Sequence, residues 1–167
     1  MEGMPHYPPE PNILGWLNNF ILPEDVILDV GSGDRRYQDV GAQKVWSLDS
    51  WERGKPDYLV DLRTGDLPTD KEISVVFLLD VLEHMEKGRG REILRQAQDL
   101  VTRAVVVMVP LDWDENRDPY EDPEGFYYRN ENVLHKSLWF LWDFYPGWTR
   151  VWLPSTRKDF FGYWLKR

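Results

Sequence analysis

The sequence contains no cysteine, which excludes disulfides, thiolate metal sites, cysteine nucleophiles and cysteine-bound iron–sulfur clusters. Positive charge is scarce as well: 20 lysines and arginines face 29 aspartates and glutamates, for a formal net charge of -9. A field of that sign repels a phosphate backbone, so nucleic acid is a disfavoured partner. The largest basic cluster, Arg157-Lys158 with Lys166-Arg167, reads as ordinary solvation. No stretch approaches the ~20 apolar residues that span a bilayer, and Met1 to His6 show no basic segment leading into an apolar run. These absences predict a soluble, cytoplasmic protein without a membrane partner. No metal centre is expected either.

Aromatic residues are plentiful, at 14% with nine tryptophans, and suggest a core or cleft lined with flat rings. A chain of 167 residues fits one domain, residues 1–167, and can bury roughly 70% of its unfolded surface. Within it, Ile13, Leu14, Leu17, Phe20 and Ile21 recur at helical spacing up to Pro23, predicting a short amphipathic flap helix in residues 1–24. Near-continuous apolar runs predict buried parallel strands at 25–30, 44–48, 57–62, 73–79 and 104–109. Ile93, Leu94, Ala97, Leu100 and Val101 mark a helix between the last two. A further helix is expected from Ser137, as N-cap, through Tyr145, and then an antiparallel hairpin of strands 148–153 and 160–166. The pattern is that of a doubly wound α/β fold, a mostly parallel seven-stranded sheet with a C-terminal antiparallel hairpin. Residues 111–136 are too long for a plain connection and read as a substrate-side loop.

In such sheets ligands bind beyond the carboxyl ends of the strands, where the topology reverses. The first predicted strand ends in Asp29-Val30-Gly31-Ser32-Gly33-Asp34-Arg35. Its glycines permit a sharp turn and close backbone approach to a ligand, and Asp29 can accept a hydrogen bond from an ammonium group. A dinucleotide fingerprint needs a third glycine at position 36, where Arg36 stands. At the end of the second strand, Asp49 can accept both hydroxyls of a ribose.

Asp29 to Gly33, then Asp49, then Asp61-Leu62 with Leu67-Pro68, then Asp80-Val81-Leu82-Glu83-His84, then Val105 to Pro110, resemble in this order the class I S-adenosylmethionine-dependent methyltransferases, from about residue 24 to the C-terminus. The resemblance implies a Rossmann-like methyltransferase fold with S-adenosylmethionine as cofactor. Asp29, Gly31, Ser32 and Gly33 would cradle its methionine part, Asp49 and Ser50 would hold the ribose, Asp61 and Leu62 would meet the adenine, and Leu78 and Leu79 would lie beside the methionine. The family's usual third glycine falls at Arg35, a departure expected to narrow the cleft or alter affinity. His135-Lys136-Ser137-Leu138-Trp139 is similar to a His-Arg-Ser-x-Trp pattern in uncharacterised bacterial members.

Methyl transfer from a sulfonium is an in-line displacement in which alignment comes before acid–base chemistry. For a hydroxyl or protonated amine acceptor, a base must also remove a proton. His135, ahead of His84, is the candidate, with Glu83 and Asp112 as further acids in reach. The acidic run from Asp112 to Glu124 reads as a solvated loop ahead of a selector for a cationic acceptor, and Trp113, Tyr120, Phe126, Tyr127 and Tyr128 as its anchors or as stacking surfaces. The expectation is methyl transfer to a small-molecule or sugar-containing acceptor, with a homodimer able to complete the site. A catalytically silent domain that binds cofactor or a partner is the alternative.

Overall fold

Strands buried on both faces carry apolar side chains at nearly every position, and three such runs form the centre of one sheet. The computed structural model describes residues 8–111 and 120–167. Its strands are β1 (Val26–Val30), β2 (Lys44–Asp49), β3 (Tyr58–Leu59), β4 (Ile73–Leu79), β5 (Val101–Pro110), β6 (Trp148–Arg150) and β7 (Asp159–Leu165), arranged in the order β3-β2-β1-β4-β5-β7-β6. The first five pair in parallel, and β7 lies antiparallel between β5 and β6. The expected hairpin therefore forms, with its second strand on the inside. The order reverses beside β1, which starts one half of the sheet while β4 starts the other. That reversal opens a crevice at the carboxyl ends of β1 and β4.

Among the described residues one α-helix packs on each face of the sheet. Helix α1 (Pro11–Phe20) starts on a Glu10 side chain that accepts the Ile13 amide and buries Ile13 and Leu17. It packs over Ile27, Val75, Phe77, Val106 and Phe161. It is thus a layer of the fold, and none of its residues lines the cleft described below. Helix α2 (Lys87–Leu100) turns Ile93, Leu94 and Ala97 to the opposite face, over Leu28, Val76, Val105 and Val107. Between β1 and β2 the chain makes turns over 34–40 with no helix. Among the described residues no helix is long and apolar enough to cross a membrane.

The helix expected from Ser137 to Tyr145 does not form. Residues 135–140 form neither helix nor strand, and a 3-10 turn follows at Leu141–Phe144. The chain entering this stretch is held from outside: Lys136 N and Ser137 N donate to the Glu83 carbonyl at 2.6 and 3.1 Å. The Ser137 hydroxyl donates to the Leu82 carbonyl and accepts the Trp139 indole N–H, so Ser137 ties down a strap rather than capping a helix. Trp139 is fully buried, with Phe144 and Phe160 stacked beyond it. Periodicity of apolar residues fits helix and extended strap alike when the ends are fixed from outside.

The strap needs Gly90. A β-carbon there would lie 2.7 Å from Trp139 Cζ2 and 3.3 Å from the Leu82 carbonyl oxygen. Gly90→Ala gains helix propensity of up to ~1 kcal/mol but overpacks a rigid ring, a cost of roughly 1–3 kcal/mol. A net fall in melting temperature is expected by calorimetry; an unchanged or raised value would show that the indole moves aside freely.

Candidate functional site

Beyond the carboxyl ends of β1, β2 and β4 lies a cavity of about 230 Å³. Its floor is the turn after β1. Gly31 and Gly33 both hold positive φ, at 68° and 49°, a conformation that costs glycine little. Side chains at these two points would also collide with Val81 and with the Tyr127 hydroxyl. The Gly31 and Ser32 amides donate to the Leu48 carbonyl, which seats the turn on the end of β2. Asp49 completes it: one carboxylate oxygen accepts Gly33 N at 2.8 Å and the other accepts Trp51 N at 2.7 Å.

Two acids face this turn. Asp29 is 3% exposed, and burial, with the charge of Asp49 second, pushes its carboxyl up to about 7. Gln38 donates to it at 3.4 Å. Burial also raises Asp49, against the backbone N–H groups that pull it down. Burial pushes the Tyr37 hydroxyl, another wall group, up to about 12, so it stays a neutral phenol. Ser32 Oγ lines the cavity, is buried, and has no hydrogen-bond partner among the described residues. A buried hydroxyl in that state is costly unless a ligand or water meets it.

The far wall comes from the 3-10 turn Leu82–His84 and from Tyr127, Asn130, Asn132, Val133 and His135. Asn132 donates to Ser50 Oγ at 3.0 Å, and Arg53 donates to the Gly125 and Phe126 carbonyls, so this loop is fastened to the end of β2. The rings of His84 and His135 meet edge to face at 5.1 Å, with Glu83 Oε1 3.8 Å from His84 Nε2. Asp80, at the end of β4, holds φ 56° and also lines the cavity. A non-glycine residue in that region marks local strain of the kind that clusters at ligand sites.

No family model matches the chain, and no curated protein matches it. Solved structures do. Magnesium protoporphyrin IX methyltransferase from Synechocystis PCC 6803, with bound S-adenosylmethionine, is 18% identical, with 93% of this chain and 76% of that one covered at a TM-score of 0.57. An O-methyltransferase family protein from Burkholderia thailandensis is 12% identical over 92% of this chain and 55% of its own, at 0.54. A Rhodobacter sphaeroides protein named for zinc-dependent alcohol dehydrogenases is 12% identical over 96% and 91%, at 0.64. With the strand order and the antiparallel β7, the alignment decides the architecture. The chain has the Rossmann-like methyltransferase fold. Likeness at this identity speaks for fold and leaves chemistry to the site.

Within the methyltransferase fold, Asp29, Gly31, Ser32, Gly33, Asp49, Ser50, Asp61, Leu62, Leu79, His84 and His135 all line one cavity. Leu78 does not: strand alternation turns it to the α2 face, fully buried beside Leu28 and Val107. Asp61 lines the wall, but Arg63 grips its carboxylate at 2.6 and 2.8 Å, and this pairing, ahead of the opposing effect of burial, holds it below the usual range. Arg35 does not narrow the cleft. Its backbone takes the glycine-like conformation, φ 62°, and its guanidinium leaves the cavity for Ser47 Oγ at 2.5 Å and Asp57 at 3.1 Å. Tyr37, Arg63, Asn130 and Asn132 are wall residues without a motif signal, whereas Asp80 stands inside its motif, Arg36 at the third dinucleotide glycine position and Tyr127 among the aromatics expected to anchor the loop or stack. Asp112, Trp113, Asp114, Glu115 and Asp118 lie outside the described residues.

Proposed function

We propose that the cavity binds S-adenosylmethionine and that the protein transfers its methyl group to a small-molecule or sugar-containing acceptor. The observation that carries this reading is the convergence, at the reversal point of a methyltransferase-type sheet, of a positive-φ glycine turn closed by Asp49, a buried acid at Asp29 and an unpartnered Ser32 hydroxyl. These groups fit the cofactor's chemistry. Asp29 matches an ammonium group, Asp49 retains lone pairs for ribose hydroxyls, and Ser32 has a hydroxyl to give. The Synechocystis enzyme carries the same molecule on the same fold. When bound, the cofactor supplies an electrophilic methyl on sulfur. The protein's part is to hold the donor, exclude water behind the Tyr127 to His135 wall and present the acceptor near His84 and His135. Arg36 at the third dinucleotide glycine position, itself a wall residue, weighs against a nicotinamide cofactor.

Protonation of Asp29 gives the test. A cationic ligand at Asp29 needs the carboxylate, whose pKa stands at about 7, so below pH 7 a proton must leave before binding. Affinity for S-adenosylmethionine is therefore expected to fall up to about tenfold per unit as pH drops from 6.5 to 5.5. Calorimetry at several pH values measures this, and a flat profile counts against the Asp29 contact. Asp29→Asn removes both the slope and most of the affinity. Failure of the intact protein to bind the cofactor at any pH would sink the reading.

The same shift predicts a gain elsewhere. Between about pH 4, where the unfolded carboxyl titrates, and pH 7 the folded chain keeps a proton that the unfolded chain has lost, so stability falls as pH rises. That penalty, up to about 4 kcal/mol by the shift, is fully present above pH 7. Asp29→Asn is expected to melt higher than the parent at pH 8 and alike at pH 3.5. Equal melting at both would show that Asp29 is ordinary in the folded state.

A further inference from the structure

We propose that Glu83, His84 and His135 form a binding site for a divalent first-row transition cation, such as Mn2+ or Zn2+, on the acceptor side of the cleft, and that this ion takes an acceptor bearing two adjacent hydroxyls. The second half rests on the methyl-transfer reading above; the first does not.

One ligand-type atom from each of the three side chains lies within 4.8 Å of the other two. Around a single ion, with N and O ligands at about 2.0–2.2 Å, such atoms stand up to ~4 Å apart, a distance that small side-chain rotations reach. Two imidazoles and one carboxylate are a donor set for first-row metals, and three protein ligands leave positions open. All three residues line the cavity, so the open positions face the space where an acceptor must come.

The ligands are also held in place from outside. His84 Nδ1 lies 3.4 Å from the Leu134 carbonyl oxygen. A donor role there, fixed from the hydrogen bond, leaves the Nε2 lone pair directed toward Glu83, whose Oε1 is 3.8 Å away. Glu83 is 2% exposed and lines the cavity, so its carboxylate is fixed in place at the wall. His135 belongs to a different stretch of chain. The Lys136 and Ser137 amides bound to the Glu83 carbonyl bring it there, and the buried Trp139 anchors the strap. A histidine–carboxylate pair serving structure alone needs no third ligand from the strap.

An ion here replaces the general base that the two histidines were expected to provide, since an imidazole whose lone pair binds metal cannot take a proton. Adjacent hydroxyls chelate such an ion in a five-membered ring, and coordination lowers the pKa of the bound oxygen. The hydroxyl proton then leaves to solvent. The oxygen forms a bond to the methyl carbon, the carbon–sulfur bond breaks, and its electron pair stays on sulfur as a neutral thioether. A sugar-containing acceptor supplies adjacent hydroxyls.

The experiment uses the full chain after treatment with a chelator. Co2+ is titrated by visible absorption and Mn2+ by electron paramagnetic resonance, in the parent and in Glu83→Gln, His84→Gln and His135→Gln. Circular dichroism melting checks that each variant is folded. One equivalent of ion with a micromolar dissociation constant is expected, weakened more than tenfold by each substitution. Weak or multiple binding in the parent, or binding unchanged in folded variants, overturns the site. 4-Nitrocatechol, whose absorption shifts when both oxygens chelate a metal, then tests the acceptor class. A red shift that needs both the ion and the intact triad supports it; no shift with the ion bound overturns it. Cofactor titration runs in parallel, so a chain that binds the ion but no S-adenosylmethionine refutes the methyl-transfer reading and leaves the metal site standing.

Discussion

Asp49→Ala is expected to weaken S-adenosylmethionine binding by at least about 100-fold, beyond the range of routine calorimetry. The carboxylate has two duties in one place. It accepts the Gly33 and Trp51 amides at 2.8 and 2.7 Å, which fixes the glycine turn, and it keeps lone pairs for the ribose hydroxyls. Hydrogen bonds to a charged acceptor contribute about 1.5–3 kcal/mol each, and a 100-fold loss is about 2.7 kcal/mol. Losing the turn and the ribose contact together exceeds that. Asp49→Asn is milder: its amide oxygen can still take the Gly33 N–H, while its NH2 group gives up the Trp51 N–H and offers the ribose one acceptor fewer. An intermediate affinity is expected. Near-parental binding by the alanine variant would remove Asp49 from the ribose site.

Arg103→Met is expected to cost about 3–5 kcal/mol of folding stability, the usual result of stranding a buried charge. At the end of the sheet opposite the cleft, Asp25 is 2% exposed. It accepts Leu22 N at 2.7 Å, Ser74 Oγ at 2.8 Å and Arg103 Nε at 3.0 Å, and it forms an ion pair with the Arg103 guanidinium. Burial alone would raise its pKa, but Arg103, the Leu22 amide and Ser74 outweigh it and hold the carboxyl below the ordinary value. The parent therefore draws stability from Asp25 above pH 4 and loses it as pH falls further. In the variant, Asp25 has lost its cation and takes up a proton more readily. The gap in denaturant midpoint between the two proteins should be widest near pH 7 and narrow toward pH 4. A constant gap across that range would assign the loss to packing of Arg103 over Phe20.

How far the sequence discloses the molecule depends on whether neighbours in space are also neighbours along the chain. Val26 to Val30, Ile73 to Leu79 and Val105 to Val109 announce themselves because a strand buried on both faces is apolar at nearly every position. Gly31, Gly33 and Asp49 are legible because strand ends and turns impose local rules. The third predicted strand shrinks to Tyr58–Leu59, where Asp57 turns back to hold Ser47 and pairing ends. The stretch after Ser137 misleads for the opposite reason: its partners, Leu82, Glu83 and Gly90, lie some fifty residues upstream. The juxtaposition of His84 with His135 was hidden in the same way. No periodicity records it, since the strap that joins them is held by backbone carbonyls, which every residue carries.

Arg35 gives the cleft a dependence on salt. Glycine at this point in the turn would take positive φ with no help. Arginine takes it against a steric cost of roughly 1–2 kcal/mol, offset by its contacts with Ser47 and with Asp57 at the β2–β3 edge. Both members of the ion pair are about one-third exposed, so dissolved ions screen it. The shape of the turn, two residues from Gly33, is thereby linked to ionic strength and to an edge strand of two residues. A glycine turn would be indifferent to both.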